Sequence, residues 1–123
     1  MNKAQAIHKF WSGFGLPAYD ENSVPDNAVM PYITYGVSTG ALDDTIMLTG
    51  SLWYRSASWQ GVSLKADEIA RAVGKNGYKI SALDNGYLWI TQGSPFAQRM
   101  SDQSDNMIRR IYLVLSAEFL TPY

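Results

Sequence analysis

The chain has no cysteine. That removes disulfides, thiolate metal sites and thiol nucleophiles together, and it is consistent with a reducing compartment. There is a single histidine, His8. Charge is also scarce: 10 basic and 11 acidic side chains leave a formal net charge of -1, and charged residues make up 17% of the chain. That is below the roughly 25% usual in globular domains. A balance so close to neutral offers no broad attraction to nucleic acid or to an anionic membrane surface. Long hydrophobic runs are missing too. The longest, Ile111 to Leu115, falls far short of the roughly 20 apolar residues that span a bilayer. The opening stretch Met1 to Ala6 is too polar for a signal peptide. A soluble protein is expected.

Catalytic and cofactor motifs are equally lacking. No G-x-S-x-G, G-x-G-x-x-G, phosphate-cradling loop or Asp-x-Asp-x-Asp-Gly pattern occurs. His8 has Ala4, Gln5, Trp11 and Ser12 at helical spacing, and reads as a solvated or capping side chain because a general base needs an oriented partner. Two carboxylate pairs, Asp20-Glu21 and Asp43-Asp44, stand in turn-like segments. Asp is favoured there because it bonds the local backbone, whereas an acid–base pair needs fixed separation across a cleft. Catalysis, a metal site and a cofactor are therefore not expected.

What the chain does have is apolar patterning: 46% hydrophobic and 13% aromatic residues over 123 positions, enough for the core of one domain, 1–123. Ala4, Ile7, Phe10, Trp11 and Phe14 recur at helical spacing over Lys3 to Phe14. Val62, Ala66, Ile69, Ala70 and Val73 do so in a second helix that starts near Ser58 or Gly61 and ends at Gly74. Alternation marks strands at about Tyr32 to Ser38, Thr45 to Arg55, Tyr78 to Leu83, Tyr87 to Thr91 and Met107 to Leu120. Phe96 to Met100 could extend as an edge strand. Asp84-Asn85-Gly86 forms a hairpin turn. Residues 15 to 31, which include Pro17, Pro25 and Pro31, read as an irregular surface loop. Gly50, inside a strand, marks a bulge, a bend or a close approach by another backbone. The order α-β-β-α-β-β-(β)-β predicts an α+β fold, an antiparallel sheet of about five strands with two helices packed on one face.

The sheet reads as apolar on both sides. Ile46, Leu48, Leu52, Leu113, Leu115 and Phe119 suit the helix-covered face; Met47, Trp53, Tyr87, Trp89, Tyr112 and Val114 would line the other. An antiparallel sheet ordinarily shows water a polar second face. Two explanations stand side by side: segments 15–31 and 92–105 fold over this face, or a neighbouring subunit covers it. Base stacking on the aromatics would call for flanking cations, and only Arg55, Arg109 and Arg110 are near. The patterning makes Trp53 and Trp59 candidate interface anchors. It makes Asp43, Asp44, Arg109 and Arg110 candidate charged contacts that set register. In a ring of more than two copies, each subunit meets its two neighbours through different surfaces. Loops such as 40–44 and 93–105 would then face the axis or the ends of the ring.

Three local texts also resemble a known family. These are Tyr19 to Ala28 ahead of Pro31-Tyr32-Ile33-Thr34-Tyr35, the strand end Trp53-Tyr54-Arg55-Ser56, and a last strand opening on Arg109-Arg110. Together with the element order they resemble the tail-terminator and minor-capsid, or head–tail joining, proteins of long-tailed bacteriophages. The resemblance implies a non-enzymatic virion protein that forms a ring, a hexamer, on the head-proximal end of the tail tube and stops its growth. It implies three partners: the chain itself, the tail-tube protein, and a head-closure or connector protein. Neither a membrane nor sequence-specific nucleic acid is among them. The implied location is the tail–head junction of the virion, and the host cytoplasm during assembly. The alternatives are another neck or tail-completion protein or, from a different class, a cytoplasmic α+β domain using its aromatic face to bind a small molecule.

Overall fold

The computed structural model describes residues 1–123, the side chains of Lys79, Ser81 and Ala82 excepted. It opens with helix α1, Lys3–Trp11. Asn2 caps this helix by accepting from the Gln5 backbone N–H at 2.8 Å, while the Gln5 side chain accepts from the Asn2 N–H at 2.9 Å. This reciprocal capping satisfies two of the donors that a helix start leaves open. The expected helix to Phe14 tightens into a 3-10 turn over Ser12–Phe14. Ala6, Ile7, Phe10 and Trp11 are buried, whereas Ala4, assigned to the stripe, is exposed.

Six strands follow in the chain: β1 (Ala18–Asp20), β2 (Tyr32–Tyr35), β3 (Ile46–Arg55), β4 (Tyr78–Leu83), β5 (Gly86–Met100) and β6 (Ile108–Leu120), with helix α2 (Gln60–Val73) between β3 and β4. Their order across the sheet is β1-β2-β3-β6-β5-β4. The α+β class and the two helices on one face stand as expected; the purely antiparallel sheet does not. β1 runs parallel to β2, pairing Ala18 with Ile33 and Asp20 with Tyr35, while every other pair is antiparallel. Part of the segment read as a loop is therefore an edge strand.

The second departure is β5. The Gly93-Ser94-Pro95 break read from the sequence lies inside one long strand, as an irregularity between Gln92 and Ala97. Beyond it, Ala97 to Met100 pair with Leu113 to Arg110 of β6. β4 ends its pairing at Ile90, so this half of β5 has β6 alone as its neighbour, which is the edge position expected for Phe96 to Met100.

The core lies between the helices and one face of the sheet. Leu48, Leu52, Ile111, Leu113, Leu115 and Phe119 are buried there with Val62, Ala66, Ile69 and Val73 of α2. Gly50 takes part in it: a Cβ at this position would lie 2.7 Å from the Trp11 ring. The close approach is made by an indole, not by a backbone. Trp11 also stacks on Tyr35, with ring centroids 6.4 Å apart and planes 10° apart. Burial, and after it the charge of Asp20, raises the Tyr35 hydroxyl above the usual tyrosine pKa.

Candidate subunit interface

Strand alternation sends the remaining side chains to the opposite face. The register sets Met47 opposite Ser116, Thr49 opposite Val114, Ser51 opposite Tyr112 and Trp53 opposite Arg110. β5 extends the same surface with Tyr87 opposite Leu120, Trp89 opposite Glu118 and Thr91 opposite Ser116. The aromatic second face expected from the sequence is present. Polar side chains are threaded through it.

The two segments that could have covered this face are used differently. Residues 18–20 form β1 and residues 92–100 belong to β5, so these parts of the two segments lie in the sheet, while 21–31 and 101–105 stay irregular. Met47 remains 61% exposed and Tyr87 43% exposed. Trp53, Trp89, Tyr112 and Val114 are half-buried.

At the end of this face that carries Trp53, side chains hold one another through specific contacts. The Trp53 Nε1–H donates to Thr34 Oγ1 at 2.8 Å. The Arg110 guanidinium lies 4.6 Å from the Trp53 ring centroid and 5.9 Å from that of Tyr112. Its Nε–H donates to Ser51 Oγ at 3.0 Å. Cation–π contact of this kind holds a guanidinium in place while leaving its fork open. Tyr19 and Tyr32 continue the row toward the β1 edge, meeting edge to face at 5.8 Å.

The six residues singled out from the sequence fall in three places. Trp53 and Arg110 share the open face. Trp59 and Arg109 do not join them. Arg109 pairs across to Tyr54 and alternates onto the helix-bearing side. There the Trp59 ring, half-buried against the core, takes the guanidinium of Arg99 at 4.8 Å and that of Arg109 at 5.4 Å. Arg109 is further spent on carbonyls, donating to Asn106 O at 2.6 Å and Ala57 O at 3.2 Å.

Asp43 and Asp44 lie in the exposed turn before β3, and only one of them is free. Asp44 accepts from the Ala41 N–H at 3.2 Å. Asp43 has a φ of +73°, and its carboxylate has no partner among the described residues. Asp20, of the other carboxylate pair, likewise caps its turn, accepting from the Asn22 N–H at 3.0 Å.

Near Arg110, the loop between β5 and β6 carries two carboxylates held below the usual range. Ser104 bonds Asp102 through both its hydroxyl, at 2.6 Å, and its N–H, at 2.8 Å; these bonds lower the pKa first and the Arg110 charge adds a little. The Met107 N–H, donating at 2.9 Å, is the main cause for Asp105, which also pairs with Arg55.

His8 has more partners than helical spacing suggested. Its Nδ1 lies 2.8 Å from the Tyr35 hydroxyl and its Nε2 lies 3.1 Å from Ser12 Oγ. Ser12 was visible at the fourth position along; Tyr35 comes from β2 and carried no local signal. Among the described residues no group of three metal-ligating side chains forms.

This architecture has a counterpart among solved structures. It shares its fold with a virion chain. The structure concerned is that of the virion of a native gene transfer agent particle: the two superpose with a TM-score of 0.53 and 19% sequence identity, over 90% of this chain and 81% of that one. No protein-family model matches the sequence, and no curated protein does. Among the described residues no helix is long and apolar enough to cross a membrane.

Proposed function

We propose that this chain is a structural protein of a phage-type virion. In this reading it is the tail terminator: a ring, a hexamer, that caps the head-proximal end of the tail tube and presents its outer side to head-closure proteins. It carries out no reaction. The observation that supports it most is the fold held in common, over nine-tenths of this chain, with a chain of a gene transfer agent virion. A sheet face that sets half-buried aromatics beside the exposed Met47 and Tyr87 fits a subunit that completes its burial against neighbours.

The test is mass in solution across concentration, by light scattering after size exclusion, followed by addition of the cognate tail tubes. A discrete species near six times 13.7 kDa, or a cap on the tube ends, is the expected result. A chain that stays monomeric at every concentration and leaves the tubes uncapped would reject the reading and favour a small-molecule-binding domain.

A further inference from the structure

We infer that neighbouring copies join head to tail, the Asp43 carboxylate of one entering the Arg110 fork of the next. This rests on the ring reading above and names the contact that would build it.

The socket is preformed. Ser51 fixes Arg110 Nε, and Trp53 and Tyr112 flank the guanidinium. Its Nη atoms have no acceptor among the described residues, and no carboxylate lies within ion-pair distance of them, Asp102 included. A planar guanidinium held this way is arranged for two parallel bonds to a carboxylate.

The matching group is also held out in advance. The Leu42 N–H donates to Thr121 O at 2.9 Å, which ties the turn to the end of β6. Asp44 closes the turn on the Ala41 N–H. What the turn then presents is Asp43, unpaired, beside Leu42 at 54% exposure. An acid next to an apolar side chain suits a cation bordered by aromatic rings. Both parts are ordered before they meet, which limits the entropy lost on association.

The two cannot meet within one chain. Trp53 pairs with Arg110 and Ile46 pairs with Ala117, so socket and turn stand at opposite ends of the β3–β6 pair, about 23 Å apart at roughly 3.3 Å per residue. Two complementary patches at opposite ends of a subunit make a heterologous contact, which closes into a ring or runs on as a filament. A phosphate backbone is the less suitable occupant. The chain is net acidic, and Asp102 is the charged neighbour that Arg110 feels, whereas phosphate tracking needs several cations together.

The experiment uses Asp43→Arg and Arg110→Asp, separately and as an equimolar mixture, in whichever assay shows assembly of the unsubstituted chain. Each variant alone sets like charges face to face. The concentration for half-assembly should rise at least about tenfold, at the low end of what close charge pairs contribute. In the mixture both junctions are again opposite in charge, so a closed ring of alternating copies and even number should return. A misfolded variant could not be rescued this way. Variants that assemble like the unsubstituted chain, or a mixture that stays apart, would overturn the contact and leave the ring standing. Assembly that depends on added DNA and fails in the mixture would assign Arg110 to phosphate and also overturn it. Absence of assembly by the unsubstituted chain, in solution and on tubes, would discard the ring and the contact together.

Discussion

The six-membered ring of the Trp11 indole packs against Gly50, where even a methyl group would sit 2.7 Å from the ring. The largest side chain of α1 and the missing side chain of β3 are one packing unit. It fixes the height of the helix above the sheet, since the fully buried Trp11 can approach only where β3 has no Cβ.

Gly50→Ala should therefore lower the urea midpoint. Overpacking of a filled core costs about 1–3 kcal/mol. Combined with Trp11→Phe, which withdraws the far ring, Gly50→Ala should cost clearly less than it does alone. Equal costs in both backgrounds would show that the two residues are not coupled.

Trp53 and Trp59 should part company under mutation. Trp59 bridges the core and two arginines within the chain, so Trp59→Ala should lower stability by about 1–3 kcal/mol while the folded fraction still assembles. Trp53→Ala removes the wall of the Arg110 socket and the bond to Thr34, so assembly should weaken more than folding. Thermal melts and light scattering on both variants check this; the reverse pattern would relocate the interface to the helix side.

Assembly should weaken as salt is raised. The screening length falls from about 10 Å at 0.1 M to about 3 Å at 1 M, and the proposed junction is a charge pair at a surface. Sedimentation at the two ionic strengths should show a lower association constant at 1 M. An association that strengthens with salt would show that burial of the apolar part of the face, rather than the charge pair, drives the contact.

Acid should unfold the β5–β6 loop first. Asp105 has its pKa depressed in the folded state by the Met107 N–H and, after it, by Arg55. A depressed carboxyl contributes stability above its unfolded pKa, about 3.9, and that contribution is lost as pH falls through the lower folded value. Asp105→Asn should flatten the loss of stability below about pH 4. Denaturation midpoints between pH 2 and 5 give the comparison, and parallel curves would argue against the assignment.

Much of this structure was legible in the pattern of residues. β3 and β6 alternate so regularly that each of their faces could be assigned before any contact was known, and the buried stripe of α2 followed the 3.6-residue period except at Ala70, which is half-buried. β1 was not legible, because three residues are too few for a period and its stability comes from Ile33 and Tyr35 across the gap. The Gly93-Ser94-Pro95 break concealed a continuous strand for a similar reason: its pairing is supplied by β6, and Gly93 lies so close to Val114 that a Cβ would be 2.7 Å from its carbonyl oxygen.

The candidate site divides along the same line. Composition and alternation alone determined that this is an α+β chain with aromatic and apolar side chains on both sheet faces, because those properties depend on residue type and on spacing within a single segment. Which arginine is free was decided by tertiary structure. Arg109 and Arg110 are neighbours of identical chemistry, and strand alternation turns one toward Trp59 and the carbonyls of Asn106 and Ala57, the other toward Trp53, Tyr112 and Ser51. The same holds for Asp43 and Asp44, where the turn consumes one carboxylate and leaves the other. Hydrogen-bonding capacity is finite, and only the folded chain determines where it is spent.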